Sequence, residues 1–184
     1  MRAKLLIPAL LALAATAPAQ SAAKPTPTAN ISALKKDVLA NMSTVTDKFI
    51  QLANAVPADR YTWRPAPGVR SIAEVFLHVS NAQYVFGANI GVAKPAGYDA
   101  TTFETSTTDK AQIIAAMKAA FAAMTNAIQA LPDNSGDATF KFFDTDYSNR
   151  KLLILETDHN AEHLGQSIAY ARVNGVVPPW SVKM

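Results

Sequence analysis

Four stretches of this chain place apolar residues three and four positions apart, and loops rich in proline and glycine separate them. That recurrence puts the apolar side chains on one face of an α-helix, and no stretch alternates with the period of two that marks a half-buried strand. The first stretch runs from about Asn30 to Val56, with Leu34, Val38, Met42 (with Val45), Phe49, Leu52 and Val56 on its face. Asn30 or Ser32 is placed to cap it and Pro57 to stop it. The second starts at Ser71, with Glu74 in the capping-box position, and runs to about Ile90. It is apolar on most sides, which predicts extensive burial. The third, capped by Thr107 or Thr108, ends near Leu131 and carries Ile113, Met117, Phe121, Met124, Ile128 and Leu131 as its buried stripe. The fourth runs from about Asn149 to Asn174, with Gly175 as its stop. The expectation is an all-α, four-helix bundle with long connecting loops, the last of them from Pro132 to Tyr147. Loops of this length in a compact bundle are often functional.

The chain opens with Arg2 and Lys4, an apolar run from Leu5 to Ala15, and the small-residue sequence Ala17-Pro18-Ala19. This reads as a secretory signal peptide over residues 1–19, cleaved near Ala19, and predicts a periplasmic or secreted protein. Its apolar run is shorter than the roughly 20 residues a membrane span needs, and no later run is read as long enough. Residues 20–29, rich in Ala, Pro and Thr, read as a flexible linker, leaving 30–184 as the bundle domain. Arg2 and Lys4 supply two of the three net positive charges, so no basic stripe remains to suggest a nucleic-acid partner. Cysteine is absent, which leaves an exported domain without disulfides and dependent on its core.

The fourth stretch has an unusual stripe. Leu152 and Leu155 begin it, and the next positions at helical spacing are His159, His163, Gln166, Tyr170 and Val173. Polar groups in the middle of a core-facing stripe need partners, because burial without them costs about a few kcal/mol each. His159 and His163 lie one turn apart, close enough for two imidazoles to reach one ion. His78, the remaining histidine, sits midway along the second stretch. Three neutral imidazoles on facing helices form a common catalytic-metal arrangement that leaves a position open for water or substrate. The alternative is a set of buried histidines bonded to Glu, Gln and backbone groups.

Two carboxylates stand one turn from these histidines: Glu74 before His78, and Glu156 before His159. Either is a candidate catalytic base or an acceptor that holds a ligand imidazole, and the bland alternatives are a capping role for Glu74 and a solvated position for Glu156. Gln166 is a candidate hydrogen-bond partner at the site. His159-Asn-Ala-Glu162-His163 also matches the inverted zinc-protease signature. No acidic residue follows Glu162 to complete that ligand set, and the sheet that would hold a peptide is missing, so a protease is disfavoured.

Taken together, several motifs resemble the DinB-like family of bacterial four-helix proteins. They are Tyr61-Thr-Trp63-Arg-Pro65 followed by Ser71-Ile72, His78 on the next helix, His159-x-x-Glu162-His163-x-Gly165-Gln166, and Ala171-Arg172-x-x-Gly175-x-x-Pro178-Pro179. The resemblance implies a left-handed-connected bundle, often dimeric, with a divalent metal on His78, His159 and His163. Characterised relatives include thiol-dependent transferases and a maleylpyruvate isomerase, and many members have no known activity. Those thiols are cytosolic, whereas this chain reads as exported, which argues against thiol transfer here.

The resulting expectation is a metal-dependent hydrolase or transferase acting on a small molecule, with Glu74 or Glu156 as base. Zinc suits three imidazoles, and nickel and iron also accept them. Trp63 and the Pro178-Pro179-Trp180 tail are candidate pocket walls. The competing readings are a non-catalytic metal- or ligand-binding bundle and a dimeric scaffold.

Overall fold

The computed structural model describes residues 29–181. The expected signal peptide, and the linker up to residue 28, lie outside the described residues. Four long helices dominate: α1 (Ser32–Ala55), α2 (Ile72–Gly87), α3 (Lys110–Ala130) and α4 (Asn149–Val173). Each of α1 and α2 packs against both α3 and α4. Consecutive helices α1 and α2 therefore stand diagonally across the bundle, as do α3 and α4. Diagonal neighbours need long crossings, which accounts for two of the long loops read from the sequence.

Apolar side chains from all four helices meet in one core. Phe49 of α1 packs edge-on against Phe76 of α2 at 6.4 Å between ring centroids and lies 5.8 Å from Phe121 of α3. Leu152 and Leu153 of α4 close the core, and each fully buried side chain of this size contributes about 1.5–3 kcal/mol. Tyr61 is wholly buried, and its hydroxyl donates to the Ala53 carbonyl at 2.7 Å. The backbone carbonyls of Tyr61 and Trp63 accept from the first amides of α2, at Ala73 and Ile72. The Tyr61-Thr-Trp63 segment thereby ties the end of α1 to the start of α2.

Helix ends follow local chemistry. Ser71 and Glu74 form the expected capping box: the Glu74 amide donates to Ser71 Oγ, and Glu74 Oε2 accepts from the Ser71 amide at 2.6 Å. Helix α3 is capped by Asp109, which accepts from the Gln112 amide, rather than by Thr107 or Thr108; Thr107 accepts from the Asp109 amide one step earlier. Asn30 accepts from the amide and hydroxyl of Ser32, while the capping position itself is Ile31. Gly175 takes φ +76° past the end of α4, as its reading as a helix stop requires.

Two features depart from the sequence-based expectation. The segment read as a loop from Pro132 to Tyr147 contains an antiparallel hairpin, β1 (Thr139–Phe142) and β2 (Thr145–Ser148). Its turn residues Phe143 and Asp144 both have positive φ, 44° and 62°, as a type I′ turn demands. Asp144 suits such a turn, but Phe143 does not, and no glycine follows to complete the usual signal. Second, α3 is long and apolar enough to match a membrane span by length and composition, contrary to the reading that no later run is. In the bundle its Ile113, Met117, Phe121, Met124 and Ile128 are buried, which is the behaviour of a core helix.

Candidate metal centre

Helix α2 presents His78 and helix α4 presents His159 and His163, one turn apart. Their candidate ligand nitrogens all lie within 4.8 Å of one another. His78 Nε2 and His159 Nε2 are 3.2 Å apart. Two nitrogens bound at 2.0–2.1 Å to one tetrahedral ion stand about 3.3 Å apart, so this spacing fits a shared cation.

Hydrogen bonds select the tautomers. His78 Nδ1 lies 2.6 Å from Glu104 Oε1, so the ring donates there and leaves the Nε2 lone pair free. His163 Nδ1 lies 2.8 Å from Gln166 Oε1, with the same result. Gln166 in turn donates to the Tyr170 hydroxyl at 3.1 Å, and Tyr170 packs edge-on against Trp63. An outer carboxylate or amide oxygen on a ligand imidazole is the usual companion of a metal site. His159 has no such partner: its Nδ1 is buried without a hydrogen bond, and the ring is placed instead by an edge-on contact with Phe86 at 5.0 Å.

Burial favours neutral rings, which a cation needs as ligands. Desolvation, followed by the proximity of His163 and His78, lowers the His159 pKa to about 3. Desolvation also lowers that of His78, although Glu104 pulls the other way. Burial alone would raise the Glu104 carboxyl, but hydrogen bonds from Arg70 and His78 outweigh it and hold it below its ordinary value. Arg70 Nε lies 2.6 Å from Glu104 Oε2, so Arg70, Glu104 and His78 form a chain.

The two carboxylates read from the sequence sit elsewhere. Glu74 joins the capping box and pairs with Arg64 at 3.0 Å, and it lines a cavity of about 590 Å³ with Arg64, Arg70, Glu104 and Gln166. Glu156 is sealed in the core, where Oε1 accepts from Asn160 at 2.6 Å and Oε2 has no partner. Burial pushes its pKa up to about 7. Glu162 is exposed, which leaves the inverted-protease reading without its base.

The buried face of α4 is also rotated from the expected stripe. Leu152, Leu153, Glu156, Asn160, His163, Leu164, Ser167 and Ala171 are buried, Leu155 and His159 lie at its edge, and Val173 is exposed. Trp180 lies over the Lys48 ammonium at 5.8 Å and lines neither cavity beside the histidines.

Residues 41–167, most of the bundle, match the DinB superfamily. The chain belongs to the DinB superfamily. DinB-like proteins of known structure share its fold: one from Bacillus cereus has TM-score 0.69 at 18% identity, covering 80% of this chain and 97% of its own. Another, from Bacillus subtilis, has TM-score 0.62 at 21% identity, covering 80% of this chain and 99% of its own. No curated protein matches the chain. The all-α bundle expected from the helical periodicity, and the DinB-like fold that the motif resemblance implied, are therefore the observed ones. Glu104 escaped the sequence reading. It lies in a short 3₁₀ turn (Phe103–Thr105), 26 residues from His78, and no spacing rule connects it to that helix.

Proposed function

We propose that this DinB-superfamily chain is an exported, metal-dependent hydrolase or transferase acting on a small molecule. His78, His159 and His163 would hold a divalent ion, zinc by ligand preference, with nickel or iron as the alternatives. The observation that carries this reading is the tautomer arrangement: Glu104 and Gln166 take the outer nitrogens of His78 and His163, so both Nε2 lone pairs are free to meet at one point. Bound there, the ion supplies Lewis acidity toward a carbonyl or a water. Arg70 fixes Glu104, and Glu104 and Gln166 orient their imidazoles. Glu74, at the wall of the polar cavity, is the carboxylate that can take a proton from a ligand seated there. Glu156, sealed in the core and bonded to Asn160, is left out of the chemistry.

A non-catalytic metal- or ligand-binding protein is the second reading, and one observation favours it. Each carboxylate near the centre is already engaged: Glu104 by Arg70 and His78, Glu74 by Arg64 and the cap, and Glu156 by Asn160. The deciding experiment is turnover of a panel of small esters and amides by the zinc-loaded protein. Hydrolysis that disappears in a folded His163→Ala variant supports the enzyme; zinc and ligand binding without turnover supports the binding protein. Export is tested separately, by N-terminal sequencing of protein recovered from a secretion-competent host, with cleavage expected near Ala19.

A further inference from the structure

The geometry points to an apolar subsite beside the histidines, walled by Phe143, that takes an uncharged aryl or short alkyl group of the substrate. It rests on the reading of the triad as a metal centre and gives that centre a substrate class. A groove of about 240 Å³ is lined by Ala82, Val85, Phe86 and Phe143, and by His78 and His159 themselves. Asn81 also lines it, but its amide donates to the Ala100 carbonyl at 3.0 Å and accepts from the Tyr98 hydroxyl. No charged side chain borders the groove, so the imidazoles are its remaining polar groups. An apolar cavity of about 150 Å³ accommodates benzene, so the space suits one ring or a short chain.

Phe143 supplies an independent observation. It is 78% exposed, and its φ of 44° lies where a bulky side chain is disfavoured. Asparagine or glycine would relax this turn. Backbone strain of this kind costs about 1–3 kcal/mol and collects at functional sites. Folding recovers little in return, because the ring remains mostly in water. The ring stands 4.5 Å from Phe142, which lies 5.4 Å from Phe86, which lies 5.0 Å from His159. An aromatic run thus leads from the exposed hairpin tip to a ligand imidazole, and a molecule in the groove would cover Phe143.

The other surroundings of the histidines are polar. Glu104 and Gln166, which hold His78 and His163, line the larger cavity with Arg64 and Arg70. The centre therefore borders one polar space and one apolar space. The matching substrate is a small amphipathic molecule, such as an aryl or alkyl ester or amide, with its reacting polar group at the histidines and its apolar group against Phe143.

Hydroxamates carry a metal-seeking head on a variable tail and serve as probes. Acetohydroxamate and benzohydroxamate are titrated by calorimetry into the zinc-loaded full chain and into Phe143→Asn, a residue suited to the turn, with melting temperature as the check on fold. The expected result is binding of benzohydroxamate about tenfold or more tighter than acetohydroxamate, as when one or two methylene equivalents leave water. That ratio should fall toward one in Phe143→Asn. Equal affinity for both probes in the wild type, or a ratio unchanged by the substitution, overturns the subsite. A zinc-independent, Phe143-dependent preference for the aryl probe supports the subsite and sinks the metal reading, whereas no binding of either probe overturns both. Sedimentation of the same proteins adds one further outcome: a dimer dissolved by Phe143→Asn makes the groove an interface between copies and overturns the subsite.

Discussion

Glu104 and His78 lie 26 residues apart in the chain and 2.6 Å apart in space, a carboxylate on the outer nitrogen of an imidazole. That contact directs His78 Nε2 toward His159 and ties the centre to the loop between α2 and α3. Removing it should loosen the metal and leave the bundle intact. Glu104→Ala is expected to weaken zinc binding about 10–100-fold, the usual effect of deleting such an outer partner. Competition with a chromophoric chelator measures this, and an unchanged affinity would deny Glu104 that role.

The buried Glu156 carboxyl gives the fold a pH dependence with a defined sign. Its pKa rises from 4.5 in the unfolded chain to about 7 in the fold. As pH climbs through that window, the unfolded chain releases the proton and the folded one retains it, so stability present below pH 4.5 is lost toward pH 7. The difference amounts to about 3 kcal/mol. Glu156→Gln keeps an acceptor for Asn160 and offers an amide N–H in place of the unpartnered Oε2. The variant should melt close to the wild type at pH 4 and clearly above it at pH 8. Equal melting differences at both pH values would contradict the account.

Gly87 and Val92 make a third case, at the end of α2. A Cβ at Gly87 would come within 2.3 Å of Val92 Cγ2, and Val92 is buried. The Val92 amide also donates to the Gly87 carbonyl at 2.9 Å, so the two segments cannot easily separate. Gly87→Ala is expected to destabilise by about 1–3 kcal/mol through overpacking. Adding Val92→Ala should recover part of that loss, a coupling that a denaturant double-mutant cycle detects. Additive losses would show that the contact is not the cause.

The architecture was legible because apolar residues at helical spacing must share a face; the start of α2 follows from Ser71-x-x-Glu74 and the end of α4 from Gly175, whereas the caps of α1 and α3 fall on Ile31 and Asp109 rather than on the residues expected. His159 and His163 were legible for the same reason, being one turn apart on a single helix. Three features were hidden. The rotation of α4 depends on how Glu156, Asn160 and Ser167 are packed, and buried polar residues do not register as a core face in a hydrophobic pattern. The hairpin turns on Phe143-Asp144, where the aspartate tolerates positive φ but the phenylalanine does not signal it. Glu104 meets His78 only after the connection between α2 and α3 has folded back onto α2. The local half of the centre could be read from spacing, whereas its long-range half required the fold.

A metal held by the three histidines would also add stability, because a ligand that binds the folded chain and not the unfolded one adds about 2.7 kcal/mol when present at 100 times its dissociation constant. Removing zinc with a chelator should therefore lower the melting temperature of the wild type, and zinc should restore it. His159→Ala should melt at one temperature with or without zinc.

The most direct test is elemental analysis of the protein, isolated without a histidine tag and dialysed against zinc. The account requires one zinc per chain in the wild type and close to none in His78→Ala, His159→Ala and His163→Ala, each still helical by circular dichroism. A folded wild-type protein without stoichiometric metal, or variants that retain it, would contradict the shared-cation centre on which the proposed chemistry stands.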